Sequence, residues 1–177
     1  ADVAARILNE LGYPAREVEL ARIAAFMHDI GNVVNRHDHA ISGATMAFRI
    51  LDKMGMEPAD VAAVITAIGH HDDSTAFPVN AVAAALILAD KTDVRRSRVR
   101  NKDMATFDIH DRVNYSVERS EVLLDVPGRT VTLSLSINTQ VCAVMDYFEI
   151  FLQRMLLCRR AAEALELKFR LEINGQI

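Results

Sequence analysis

The sequence predicts a mostly α-helical protein, in which a helical bundle is followed by a small C-terminal antiparallel β-sheet with one long helix. Two observations support this fold class. Apolar residues recur at helical spacing up to about residue 90, and from about residue 118 they alternate with polar residues. The chain of 177 residues, 51% hydrophobic and 25% charged, is large enough to bury a core without disulfides.

Five helices are predicted in the part of the chain where apolar residues recur at helical spacing. Gly12, Gly31 and Gly55 each follow an apolar helical pattern, where a helix end is expected. Pro58 suits the first turn of the fourth helix because its missing N–H needs no partner there. The fifth segment is apolar on most sides, which is typical of a helix at the centre of a bundle. The predicted helices are residues 4–11, 16–30, 39–53, 57–68 and 78–90.

The C-terminal part contains three runs in which apolar and polar residues alternate. Pro127 and Gly128 separate the first two runs, which predicts a β-hairpin. A long helix is predicted over residues 139–164 with Thr139 as its N-cap, and a third antiparallel strand follows it. The predicted strands are residues 118–126, 131–137 and 165–173.

These patterns divide the chain into a helical bundle over residues 1–117 and an extension over residues 118–177 that packs on the same domain. Residues 98–106 are the expected loop. The apolar face of the long helix fits either the core or a second copy of the chain, so a homodimer stays open. Because Ala1 is not Met and a helical pattern follows at once, we expect a further upstream segment.

Charge and cysteine content limit the classes of function. A formal net charge of −4 argues against a general nucleic-acid binder, which needs a basic surplus to displace counterions from phosphates. The chain has no apolar run of about 18 residues and no leader pattern, so no membrane association is expected. Cys142 and Cys158 are expected in the long helix as buried, reduced thiols, which predicts a cytoplasmic protein.

Histidines and aspartates supply the candidate chemistry. Five of the six histidines lie between residues 28 and 71, near the ends of predicted helices that can meet at one place in a bundle. A single histidine at a helix C-terminus also stabilises the helix dipole without any metal. Imidazole nitrogens and carboxylate oxygens together suit a divalent cation such as Mn²⁺, Fe²⁺, Co²⁺ or Zn²⁺. The remaining pair, His110-Asp111, lacks a preceding apolar run and is expected at the surface.

Four segments, in the same order, resemble the HD superfamily of metal-dependent phosphohydrolases, whose fold is a helical bundle. The first contains the His-Asp pair that defines the family, and the second has the His-x-x-x-Gly-Ala pattern of members with two metals. The third resembles the next histidine element, and the fourth resembles the segment with the last aspartate. These segments are residues 24–31 (AAFMHDIG), 39–44 (HAISGA), 67–71 (AIGHH) and 88–93 (LADKTD).

The resemblance implies a hydrolase that cleaves a phosphoester or a nucleotide phosphate bond with a metal-bound hydroxide. It also implies two divalent ions, of Mn, Fe, Co, Ni, Zn or Mg, with Asp29 as the bridge between them. Spacing along the chain does not choose between the two adjacent histidines of the third segment. The implied metal ligands are His28, Asp29 and Asp90 for one ion, and Asp29, His39 and either His70 or His71 for the other.

Further residues are candidates for proton transfer and substrate contact. Asp72, Asp73 and Lys91 are the candidate proton donors for the leaving group, beside the catalytic Asp29. Arg96 and Arg100 have the spacing of one helix face and are the candidate phosphate-binding pair. Cations near a helix end are equally well explained as a solvated terminus.

The sequence departs from the family pattern at two positions. The additional histidine that members carry on their first helix would fall before Ala1, and Asn32 stands where many members have a phosphate-binding lysine. Two alternatives to the hydrolase therefore stay open. One is a regulatory module that binds nucleotide or phosphate without hydrolysing it, and the other is a scaffold without metal. The expected partner is a small phosphorylated or nucleotide substrate.

Overall fold

The structure is a computed structural model that describes residues 1–73, 76–99, 101, 103 and 106–177. It confirms a mostly α-helical fold with a small sheet and a long C-terminal helix. The helices are α1 (Asp2–Glu10), α2 (Ala15–Met27), α3 (His39–Lys53), α4 (Pro58–Gly69), α5 (Ala81–Lys91), α6 (Ile109–Ser116) and α7 (Val144–Ala164). The strands are β1 (Val117–Asp125), β2 (Thr130–Ile137) and β3 (Lys168–Ile173).

The central helix of the bundle is α5, as its all-round apolar pattern predicted. It contacts α1, α2, α4 and α7, and its residues 82–88 are all buried. The side chain of Asn80 accepts a hydrogen bond from the backbone N–H of Ala83 at 2.8 Å and so caps the helix N-terminus. The opposite end of α5 carries Asp90 and Lys91, so the buried helix holds these two residues in place.

The second helix ends earlier than predicted. The α-helix ends at Met27, and a 3₁₀ turn follows over Ile30–Val33. The backbone of Asp29 has φ −95° and ψ 5°, outside the α-helical range. Gly31 in this turn is buried against the start of α3, so close that a Cβ atom would lie 2.6 Å from the backbone nitrogen of Gly43. The His-Asp pair therefore lies between the end of α2 and the 3₁₀ turn.

The sheet has the order β1-β2-β3. β1 and β2 pair antiparallel, which confirms the hairpin, but β2 and β3 pair parallel, with Val131 opposite Phe169. The prediction of an all-antiparallel sheet was therefore wrong for the third strand. The reason is α7, a helical crossover that returns the chain to the end of the sheet where β2 begins.

The long helix begins five residues later than predicted, so Thr139 is not its N-cap. The side chain of Asn138 accepts a hydrogen bond from the N–H of Gln140 at 3.0 Å, which holds this segment in a turn. Cys142 consequently precedes α7, while Cys158 lies inside it, and both thiols are buried and free. In the described ranges, every helix falls short of the length or the apolar content that a bilayer crossing requires.

The hairpin is attached to the bundle by hydrogen bonds and by helix packing. Arg6 in α1 donates to the carbonyl of Val122 at 2.6 Å, and the Ser120 hydroxyl donates to the carbonyl of Thr92 at 3.1 Å. α7 packs against α5. The boundary after residue 117 falls within the first residues of β1, and the division of the chain there stays a prediction.

One helix, α6, was not predicted. Its N-cap residue Asp108 accepts a hydrogen bond from the N–H of Asp111 at 2.8 Å. His110 is exposed, as expected for a surface residue. The loop expected over residues 98–106 lies partly outside the described residues.

Candidate metal centre

The imidazole of His28 is oriented by the turn that follows the end of α2. Its Nδ1 donates to the carbonyl of Ala25 at 2.9 Å. Its Nε2 lies 3.5 Å from Asp29 Oδ2 and 3.5 Å from Asp90 Oδ1. Because a carbonyl only accepts, Nδ1 carries the hydrogen, and in the neutral ring Nε2 is left with a lone pair. That lone pair faces two carboxylates from different elements.

The imidazoles of His39 and His71 face each other in the interior. His39 is the first residue of α3 and His71 follows the end of α4; each side chain is at most 3% exposed. Their Nδ1 atoms donate to the carbonyls of Arg36 at 3.0 Å and of Ile68 at 2.6 Å. Their Nε2 atoms are 3.2 Å apart. Two neutral rings held in this way oppose lone pairs, which repel unless a proton or a cation lies between them.

Asp29 connects these histidines through its two carboxylate oxygens. Oδ2 faces His28, whereas Oδ1 lies 3.3 Å from His39 Nε2 and 4.0 Å from His71 Nε2. The ligand atoms of His28, Asp29 and His71 all lie within 4.8 Å of one another. Imidazole nitrogen with carboxylate oxygen is a donor set that fits a divalent transition metal ion. One carboxylate with its oxygens on different histidines also fits a bridging ligand.

The structure distinguishes between the two adjacent histidines at the end of α4. The Nδ1 of His70 donates to the carbonyl of Thr66 at 2.9 Å, back along its own helix. Among the described contacts, its ring meets neither Asp29 nor the other histidines. His71 is therefore the one that the fold brings into the cluster.

Gly43 allows α3 to approach the turn after α2 closely enough for this arrangement. A Cβ at Gly43 would lie 3.3 Å from the backbone nitrogen of Gly31 and 3.3 Å from the carbonyl oxygen of His28. Any larger side chain there would press α3 away from the His-Asp pair. The glycine of the His-x-x-x-Gly-Ala segment thus keeps His39 within reach of Asp29.

The candidate proton donors occupy different surroundings. Lys91 is 4% exposed, and its Nζ lies 2.7 Å from Asp90 Oδ2 and 2.9 Å from Asp73 Oδ1. Asp72 Oδ1 lies 4.0 Å from His39 Nε2. Asp72 is therefore beside the histidine cluster, whereas Lys91 and Asp73 are bound to each other.

Burial and neighbouring charges shift three pKa values in the cluster. Burial raises the pKa of Asp90, but the adjacent His28 imidazole and the Lys91 charge outweigh burial and hold it well below its usual range. Burial lowers the pKa of His71. Burial also lowers the pKa of His28, yet the adjacent Asp90 carboxylate reverses this and leaves it raised. Near neutral pH, Asp90 is thus ionised and His71 neutral, the states in which these residues bind metals.

A cavity of about 770 Å³ opens beside the cluster, and it contains an arginine that was not predicted. The Nη1 of Arg36 lies 3.8 Å from Asp29 Oδ1 and 3.3 Å from Asn32 Oδ1, and its side chain is 70% exposed. Its spacing of four residues from Asn32 is the sequence signal that could have found it. The cavity is lined by Ala1, Ala25, His28, Asp29, Asn32, Arg36, Leu86, Ala89, Asp90, Asp93 and Ser97.

Arg96, one of the two predicted phosphate-binding arginines, is bound away from the residues that line this cavity. Arg96 Nε donates to the carbonyl of Tyr115 at 2.8 Å, its guanidinium carbon lies 4.4 Å from the centre of the Tyr115 ring, and an Nη lies 3.7 Å from Glu118. The helical turn at Arg96 ends before Val99, whose backbone is extended, so no helix continues past Arg98 to Val99. Arg100 lies outside the described residues.

One known protein family matches most of the chain. The model of the HD domain matches residues 1–150, a range that contains the whole histidine and aspartate cluster. No curated protein and no solved structure gave a match. The chain belongs to the HD domain family.

Proposed function

We propose that the chain is a metal-dependent phosphohydrolase that cleaves a phosphoester or a nucleotide phosphate bond. Membership of the HD domain family supports the general class of reaction. The observation that carries the proposal is the pair of Nε2 atoms of His39 and His71, 3.2 Å apart and both within 4.0 Å of Asp29 Oδ1. A bound cation accounts for the convergence of the two buried imidazole lone pairs and the Asp29 carboxylate on one place.

Two divalent ions, of Mn, Fe, Co, Ni, Zn or Mg, are part of the proposal. Divalent cations bound there would lower the pKa of a water molecule and neutralise charge that develops on the phosphate oxygens. Asp29 suits the bridge because its two oxygens face different histidines. The proposed ligands are His28, Asp29 and Asp90 for one ion and Asp29, His39 and His71 for the other.

The chain's own side chains would bind the substrate and move its proton. Arg36 is exposed at the cavity and close to Asp29, so its guanidinium can bind phosphate oxygens in a bidentate manner. Asp72, beside His39, is the proposed proton donor for the leaving group. Lys91 is buried between two carboxylates, which supports a role in orienting Asp90 rather than in proton transfer.

Metal analysis combined with a substrate panel tests the proposal. The full chain is loaded with Mn²⁺, Fe²⁺, Co²⁺, Ni²⁺, Zn²⁺ or Mg²⁺, its metal content is measured, and it is incubated with a chromogenic phosphodiester and a set of nucleotides. We expect bound metal and turnover that a chelator abolishes. Absence of turnover with every cation contradicts the hydrolase. Tight nucleotide binding with unchanged nucleotide recovered would instead support the regulatory module, and protein that binds no metal would support the scaffold.

The two adjacent histidines provide a matched pair of variants for the ligand assignment. His71→Ala should weaken Co²⁺ binding by more than the roughly 10- to 100-fold typical of an outer-shell partner. His70→Ala should bind Co²⁺ like the wild type, because its ring is engaged with Thr66. Equal losses in the two variants would contradict the assignment.

The proposal includes a small phosphorylated compound or a nucleotide as substrate, and a cytoplasmic location in keeping with the two free cysteines. A homodimer is a separate proposal, since α7 leaves Met145 and Leu152 exposed. Light scattering tests the homodimer, and the mass of a single chain would contradict it.

A further inference from the structure

A chain of ion pairs runs from α7 to the metal centre. Arg154 Nε donates to Asp73 Oδ2 at 3.2 Å. Asp73 Oδ1 lies 2.9 Å from the buried Nζ of Lys91, which in turn lies 2.7 Å from Asp90 Oδ2. The other oxygen of Asp90 faces His28 at 3.5 Å. Three side chains, those of Arg154, Asp73 and Lys91, thus connect α7 to Asp90, a proposed metal ligand.

The surroundings of Lys91 explain why Asp73 is needed. The Lys91 side chain is 5% exposed, so its charge must be compensated by neighbouring carboxylates rather than by water. If Asp73 turned to solvent, Asp90 alone would compensate the charge of the Lys91 ammonium group. The ammonium group would then compete with a metal cation for both carboxylate oxygens of Asp90. With Asp73 in place, Lys91 contacts Oδ2 and leaves Oδ1 facing His28.

Asp73 in turn depends on Arg154. The side chain of Asp73 is 41% exposed, and an exposed carboxylate readily rotates into water. The guanidinium carbon of Arg154 lies 5.2 Å from the ring centre of Phe151, which is 2% exposed, so the arginine is supported by a fixed aromatic side chain. Arg154 lies beyond residues 1–150, the range that the HD domain matches.

We propose that Arg154 and Asp73 are positioning residues of the metal centre, which hold Lys91 so that Asp90 presents Oδ1 to the cation. The inference rests on the proposed function in so far as Asp90 is a metal ligand. It makes α7 a part of the site rather than only a packing element. Outer-shell partners of this kind alter metal affinity by about 10- to 100-fold when they are removed.

Co²⁺ binding by variants of the full chain tests the inference. The variants are Arg154→Ala, the conservative Arg154→Lys and Asp73→Asn. Arg159→Ala is the matched control, because Arg159 lies on the same helix and pairs only weakly with exposed Glu163 at 4.0 Å. The Co²⁺ dissociation constant, the visible absorption of the Co²⁺ complex and the unfolding temperature without metal are measured for each.

Arg154→Ala and Asp73→Asn should each weaken Co²⁺ binding by about 10-fold and change the Co²⁺ absorption. Arg154→Lys should recover most of the affinity, and Arg159→Ala should match the wild type. The double variant Arg154→Ala/Asp73→Asn should lose no more than either single variant, because both act through one path. If Arg154→Ala does not fold, Asp73→Asn carries the test, since it keeps the size of the side chain.

Wild-type Co²⁺ affinity and absorption in Asp73→Asn would overturn the inference, even if the unfolding temperature falls. Additive losses in the double variant would overturn it as well. Failure of the proposed function is recognised separately. A wild-type protein that binds Co²⁺ without hydrolysing any phosphoester refutes the hydrolase but leaves the positioning result standing, whereas one that binds no Co²⁺ overturns both.

Discussion

Replacing Gly31 with alanine should separate the 3₁₀ turn from α3 and disable the metal centre. A Cβ on Gly31 would lie 2.6 Å from Gly43 N and from Ser42 Oγ, and closer still to the carbonyl oxygen of His39. Ordinary contact begins at 3.4 Å, so the two elements must move apart by at least 0.8 Å. Two of these three atoms belong to the backbone and cannot rotate away.

This displacement acts on a distance within the site. Asp29 precedes Gly31 by two residues, and its Oδ1 lies 3.3 Å from His39 Nε2. A movement of 0.8 Å directly apart would lengthen that distance to about 4.1 Å, a change larger than the roughly 0.2 Å within which metal–ligand distances normally vary. Overpacking of this kind costs about 1–3 kcal/mol, and contact with backbone atoms favours the upper end of the range.

Urea unfolding without metal and Co²⁺ titration are the assays. Gly31→Ala should lower the free energy of unfolding by about 3 kcal/mol and reduce Co²⁺ affinity by at least about 10-fold. Gly69→Ala is the control, because its Cβ would meet Ala44 Cβ at an ordinary 3.7 Å and alanine favours a helix by up to about 1 kcal/mol. It should therefore match or exceed the wild type in stability. A Gly31→Ala protein with wild-type unfolding and Co²⁺ affinity would refute the close-contact explanation.

Helix capping, thiol reactivity, pH and phosphate binding provide four further tests. Asn80→Ala removes the α5 cap and should cost about 1 kcal/mol in urea unfolding; an unchanged midpoint would contradict this. Burial, aided by Asp146, raises the pKa of Cys142 to about 11, and burial raises that of Cys158 to about 12, so neither thiol should react with a disulfide reagent at pH 8 before denaturation. Protons compete with the cation for imidazole, so Co²⁺ affinity measured by dialysis should rise between about pH 5.5 and 7.5, and a flat profile would argue against histidine ligands. Arg36→Ala should raise KM about 10-fold at unchanged metal content, because a charged hydrogen bond contributes about 1.5–3 kcal/mol; unaltered KM would exclude Arg36 from substrate binding.

Local patterns predicted most of the secondary structure and the donor residues. The helices of the bundle and the hairpin were recognised because their apolar periodicity involves residues within a few positions of one another. The start of α7 was misplaced because the Asn138 side chain accepts a hydrogen bond from the N–H of Gln140 and holds the segment before the helix in a turn. The helical spacing expected after Arg96 was not kept, because the chain becomes extended at Val99, and the role of Arg100 stays a prediction.

The choice between His70 and His71 lay beyond spacing. Adjacent residues differ by about 100° around a helix, and at a helix end either side chain can face the interior. The decision depends on where α4 stops and on which carbonyl each ring binds: Thr66 for His70 and Ile68 for His71. Neither is visible in a periodic pattern.

By itself, the sequence determined the helical bundle, the hairpin and the set of imidazoles and carboxylates, because each is encoded by neighbouring residues. Only the tertiary structure decided the parallel pairing of β3, the tight approach of Gly31 to α3 and the contact of Arg154 with Asp73, 81 residues away. These features depend on how distant elements pack against one another, and packing selects among arrangements that local preferences leave equally open.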